Sequence, residues 1–218
     1  MRCKCWLFCA LLSGCTGAAS DDPSSTNSTV QALSGKTTAV AYHDQWRKLF
    51  EDHITWTRLV IVGVANKLPG TDAYTTRLLS NYEDMEDALR GFFPDDDIET
   101  LGDLLKDHLV TARSILDTVA KGGDPTALIA TWRQNGSDIA GKMSAMNPRY
   151  WPLEVGAPMW QDHLTFTLEE ATAAFAGTFE ADIAAYDKVH VLALDMADFF
   201  SVGVIRTGYR FKGEQCIP

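Results

Sequence analysis

The chain has 218 residues, 46% of them hydrophobic and 22% charged, with a formal net charge of −10. That apolar fraction is too high for a disordered chain, 16 Gly and 8 Pro are too few for a fibrous one, and the length suits one domain with a real core. A pI near 4.8 argues against nucleic acid or a bare anionic membrane as partner, because either would repel the averaged field.

The first fifteen residues read MRCKCWLFCALLSGC. Arg2 and Lys4 form a short basic start, and Trp6 to Leu12 an apolar run too short to span a bilayer. Leu12-Ser13-Gly14-Cys15 follows, an aliphatic residue and two small ones before a cysteine. This segment resembles the lipobox of bacterial lipoproteins. The resemblance implies a signal peptide over residues 1–14, lipid on the Cys15 thiol, and a membrane-anchored, extracytoplasmic place in the cell envelope. Thr16 stands where an Asp would signal inner-membrane retention, which favours the outer membrane if the cell has one. Processing would remove Cys3, Cys5 and Cys9 and commit Cys15 to lipid, so only Cys216 stays free and no internal disulfide is expected. Loss of the two cations Arg2 and Lys4 would move the formal charge from −10 to −12.

Residues 15–40 are dominated by Ser, Thr, Gly and Ala and read as a flexible tether. From Ala41 the pattern is helical, and a bundle domain is expected over residues 41–211, with 212–218 as a tail. Trp46, Phe50, His53, Thr57, Val60 and Val64, spaced 4, 3, 4, 3, 4, make one helix seam that ends near Asn66. A shorter piece over 72–92 carries Leu78, Leu79, Met85 and Leu89. Asp95-Asp96-Asp97 then open a helix with the seam Leu101, Leu105, His108, Ala112, Ile115 and Val119. The next helix starts at Asp124-Pro125, ends at Asn147-Pro148, and carries Leu128, Trp132, Asn135, Ile139, Met143 and Met146. The fifth, over about 155–176, has Trp160, His163, Thr167, Glu170 and Ala174. The last, from Phe179, is expected to bury Ile183, Asp187, His190, Leu194, Ala197 and Val204. With no strand-like alternation, the fold class is all-α: an antiparallel helical bundle of four long core helices plus shorter ones.

Polar residues interrupt these seams in a regular way. Asp52-His53, Asp107-His108 and Asp162-His163 recur at 55-residue intervals, and each His lies on its helix's apolar seam. Asp187 and His190 share the last seam, and Glu170 lies two turns after His163. Burying an unpaired polar group costs about 1–3 kcal/mol in proteins. Two readings follow. Either His53, His108, His163, Glu170 and Asp187 converge on a transition metal such as Fe, Mn, Cu or Zn, or these groups, with Asn135 and His190, form a purely structural hydrogen-bonded core.

The motifs LFEDHITWTRLVI, LLKDHL, N-x-x-D-I-A, W-x-DHL-x-x-T-x-E-E-A and A-x-x-M-A-D resemble those of small bacterial bundle proteins over about residues 46–206. That pattern includes His53, Trp56, Arg58, His108, Asn135, Asp138, His163, Glu170, Asp187 and Asp198, but not His190. Some members carry the label acetylglutamate kinase. The residues here do not support it, for there is no glycine-rich phosphate loop, no α/β alternation and no basic cluster for ATP. Nor does the chain carry a Gly-x-Ser-x-Gly elbow or a His-Glu-x-x-His pair, and no catalytic residue stands out. The expectation is a lipid-anchored bundle that binds a metal or small ligand through core histidines. The alternative is an envelope lipoprotein whose outer surface engages another envelope protein.

Overall fold

The structure, a computed structural model, describes residues 37–207 and residue 211. Cys15, the signal segment, most of the tether and the 212–218 tail lie outside these residues. Six helices account for almost all of the described chain: α1 Ala39–Ala65, α2 Thr71–Leu89, α3 Asp95–Ala120, α4 Thr126–Met146, α5 Leu153–Ala176 and α6 Phe179–Ile205. The all-α class is as expected, and so are four long helices beside shorter ones: α1, α3, α5 and α6 have 27, 26, 24 and 27 residues, α2 and α4 19 and 21.

Local chemistry sets the ends. Thr38 caps α1, its hydroxyl accepting from the Ala41 N–H at 3.0 Å. Three aspartates occupy the first turn of α3, where the helix N-terminus favours negative charge. Gly122 and Gly177 adopt left-handed backbone after α3 and α5, a conformation that stops a helix at little cost only in glycine.

Each helix packs on the next in the chain, and α6 returns to pack on α1, which closes the six into a ring. α1 also touches α3 and α5. The pairing is antiparallel throughout: Tyr42 and His53 of α1 meet Ala88 and Asn81 of α2, and Glu51 and Arg58 meet His190 and Asp182 of α6. The odd-numbered helices therefore run parallel to one another. Positions 55 apart fall into shared layers: Trp46, Leu101 and Gly156; Phe50, Leu105 and Trp160; Ile61, Leu116 and Ala171, all buried.

The seams of α1 and α3 lie where their periodicity placed them. That of α6 does so only toward its end, where Ala197 and Val204 are buried. Its buried face is Asp182, Ala185, Val189, Ala193, Met196, Ala197 and Phe200, while Ile183 is 54% exposed and Asp187 is exposed. Ala, Val and Leu surround this helix on every side, so apolar spacing alone fits several faces. The small side chains at 185, 193 and 197 suit close approach to the neighbouring helices. Among the described residues no helix is long and apolar enough to cross a membrane.

Candidate metal centre

Because α1, α3 and α5 are parallel, a 55-residue interval brings His53, His108 and His163 to one level. One nitrogen from each imidazole lies within 4.8 Å of those of the other two. A point therefore exists within about 2.8 Å of all three, against the 2.0–2.1 Å of a zinc–imidazole bond, so small side-chain movements close the difference. The ring centres are 5.6 to 6.4 Å apart. His108 and His163 are 2% and 3% exposed, and His53 is partly buried.

Two of the rings are oriented by asparagines on the even-numbered helices. Asn81 Nδ2 donates to the Leu49 carbonyl at 3.0 Å, and Asn135 Nδ2 donates to the Leu104 carbonyl at 2.9 Å. A carbonyl carries no hydrogen, so the NH2 end of each amide must face it and the oxygen must face the imidazole. His53 Nδ1 and His108 Nδ1, at 3.1 and 3.2 Å from those oxygens, are therefore the protonated nitrogens. This leaves Nε2 of both rings unprotonated, the form in which imidazole binds a metal. The pairs are equivalent: the asparagine follows its histidine by 28 and 27 residues and reaches the carbonyl one turn before it.

The third ring lacks this support. α6 has no side-chain amide: Val189 is buried, and His190 turns outward to Glu51 Oε1 at 2.9 Å. His163 Nδ1 is buried without a hydrogen-bond partner. Around the triad, Trp132 stacks on His108 with ring centres 5.0 Å apart and donates to its carbonyl, and Trp160 stands edge-on to His108 and His163.

Burial keeps all three imidazoles neutral. It lowers His53 to about 4, against an Asn81 hydrogen bond that favours the charged form. His108 falls to about 3, chiefly by burial and secondarily through His53, and His163 lies well below the ordinary value for the same reasons. Three neutral nitrogen donors at one level suit Zn, Cu or Fe better than Mn, which prefers oxygen ligands.

The other residues expected at this level stand elsewhere. Glu170, 1% exposed, accepts a hydrogen bond from Arg58 at 2.8 Å, and the same guanidinium makes two bonds to Asp182 at 3.0 and 2.9 Å. Seven residues separate Glu170 from His163, about 10 Å along the helix. Asp187 points away from the core. Asp107 and Asp162 are exposed, and Asp52 pairs with Lys48 and Arg77. The roles of Asn81 and Asp182 are not apparent in the sequence pattern. The recurrence of Asn 28 and 27 residues after an Asp-His pair is the signal that could have found Asn81.

Small cavities of about 10 and about 30 Å³ flank the histidine level, room for about one and about two water molecules. Phe50, Met85, Trp160, Met196 and Phe200 wall the smaller; Thr57, Ala112, Thr167 and Arg113 line the larger. No protein-family model matches this chain, and neither does any curated protein or solved structure.

Proposed function

We propose that this protein is a lipid-anchored, extracytoplasmic bundle of the bacterial cell envelope that holds one transition metal ion through His53, His108 and His163. The observation that carries the metal reading is the convergence of three neutral imidazole nitrogens within 4.8 Å. Two of those rings are fixed by asparagines in the tautomer that leaves Nε2 free to ligate. A structural core would need no such convergence, since the three rings make no hydrogen bonds to one another and each is costly to bury. The acidic surface adds to this by raising the local concentration of cations.

The lipid anchor rests on the Leu12-Ser13-Gly14-Cys15 motif and its basic, apolar lead-in. Mass spectrometry of membrane-extracted protein is its test: a diacylglyceryl adduct on Cys15 is expected, and a Cys15→Ser variant that still partitions into detergent would contradict it. For the metal, Tm is expected to rise when Zn or Cu is added to wild type and to stay put when His53, His108 and His163 are all replaced by Leu. A wild-type Tm indifferent to Zn, Cu and Fe would sink the reading.

The outer face of α6 supports a second function, contact with a partner. Phe179, Ile183 and Val191 are 63%, 54% and 64% exposed along the outer face of α6, which suits contact with another envelope protein. Partner capture that survives the triple histidine replacement and is lost on Ile183→Asp would favour it.

A further inference from the structure

The metal site proposed above is incomplete as the protein builds it. Three side chains converge there, and among the described residues no carboxylate joins them: Glu170 is engaged by Arg58, and Asp187 is exposed. A divalent ion held by three neutral imidazoles keeps its full charge in a buried setting, which is costly without an opposite charge close by. Three protein ligands also leave a coordination position for something from solvent.

The two sides of the histidine level differ in what they offer there. The side walled by Phe50, Met85, Trp160, Met196 and Phe200 also carries Asn81 and Tyr82, but both are engaged, Asn81 with His53 and the Leu49 carbonyl and the Tyr82 hydroxyl with Glu83. On the other side lies the layer one turn further along the odd-numbered helices: Thr57, Ala112 and Thr167, again 55 residues apart. The two threonines are equivalent in position but not in bonding. Thr167 donates to the His163 carbonyl at 2.8 Å, the usual bond of a threonine within a helix. Thr57 makes no such bond to His53, and its hydroxyl oxygen is buried with no partner. It lines the larger cavity together with all three histidines.

We infer that the metal of the three-histidine site takes a small anion of one to three atoms as its remaining ligand, on the Thr57 side, with the Thr57 hydroxyl as hydrogen-bond donor. The anion offsets the charge that neutral imidazoles cannot. The unpartnered hydroxyl gains an acceptor, and the cavity of about 30 Å³ limits the ligand to a few atoms. This inference rests on the histidine site holding a metal, and the experiment separates the two.

Full-length protein is loaded with Co(II), whose visible absorption reports its ligands, and titrated with azide. In wild type, azide is expected to change the Co(II) spectrum saturably at one equivalent of metal per chain. Thr57→Val is expected to bind Co(II) as tightly but azide about 10–100-fold more weakly, the usual worth of one hydrogen bond to a charged group. Thr57→Ser should restore azide binding to within about twofold, and Thr57→Ala serves in place of Val should the β-branched variant fold poorly. Met196→Leu, on the opposite side, should leave azide affinity unchanged. A Co(II) spectrum indifferent to azide, a Thr57→Val variant that binds azide like wild type, or a loss confined to Met196→Leu would each overturn the inference. A wild-type protein that takes up no Co(II) would overturn the metal reading itself.

Discussion

α1 and α5 carry two buried polar centres, and the two solve the problem of burial in opposite ways. At the histidine level, three groups that could be charged are kept neutral, and the described residues supply neither an opposite charge nor a partner for His163 Nδ1. Further along, Arg58, Glu170 and Asp182 satisfy one another, and Arg58 also lies over the Tyr186 ring at 4.7 Å. There one guanidinium faces two carboxylates. Asp182 takes two of its hydrogen bonds, and burial pushes Glu170 up to about 7 despite the Arg58 contact. Glu170 occupies the 55-residue counterpart of Val60 and Ile115, so only one of three equivalent positions became polar. The lesson is that a buried polar centre complete within the protein is a brace, whereas one left incomplete is a place for something else.

The largest expected effect comes from breaking the complete centre. Arg58→Met leaves two carboxylates buried without their cation and should cost about 3–5 kcal/mol in urea unfolding. Replacing all three together, Arg58→Met with Glu170→Leu and Asp182→Leu, should recover most of that loss. If the single and triple variants are equally unstable, the centre is not internally compensated.

Acid should separate the two centres by sign. His53 and His108, held near 4 and 3, stay neutral in the fold but bind protons once unfolded, where their ordinary value is 6.5. Their contribution is therefore intact above pH 6.5 and is lost as pH falls toward 4, by at most about 1.4 kcal/mol per pH unit for each ring. Glu170 behaves in reverse: raised from 4.5 to about 7, it adds stability below 4.5 that disappears as pH rises through 7. Denaturant midpoints of metal-free protein between pH 4 and 7.5 should fall on acidification. Glu170→Gln should steepen that fall, and replacing the histidines by Leu should remove it. A metal-free protein equally stable at pH 4.5 and 7 would contradict the buried-neutral assignment.

Smaller effects test how the histidines are aimed. Asn81→Leu removes the acceptor that fixes the His53 tautomer and should weaken Zn binding about 10–100-fold by competition titration, with Asn135→Leu acting alike through His108. Asp187→Asn, on the exposed face of α6, should leave Zn affinity unchanged and stability within about 0.5 kcal/mol.

What could be read in advance follows the same physics. Large side chains at strict 4-3-4-3 spacing define the seams of α1 and α3, because only one face of a helix accommodates Trp46 and Phe50, or Leu101 and Leu105. On α6 small apolar residues on all sides leave the buried face to tertiary packing, which put Asp182 inward and Asp187 outward. The convergence of the histidines depends on helix direction, which periodicity within a single helix does not contain; the parallel course of α1, α3 and α5 turns a 55-residue interval into a shared level. Glu170 shares His163's face but not its level, and seam spacing registers only the face.

Metal content measures the central claim most directly. Wild-type protein equilibrated with Zn or Cu and freed of excess should carry one ion per chain by elemental analysis, and the protein with His53, His108 and His163 all replaced by Leu should fold and carry none. Wild type that holds no metal, or a triple variant that holds as much as wild type, would contradict it.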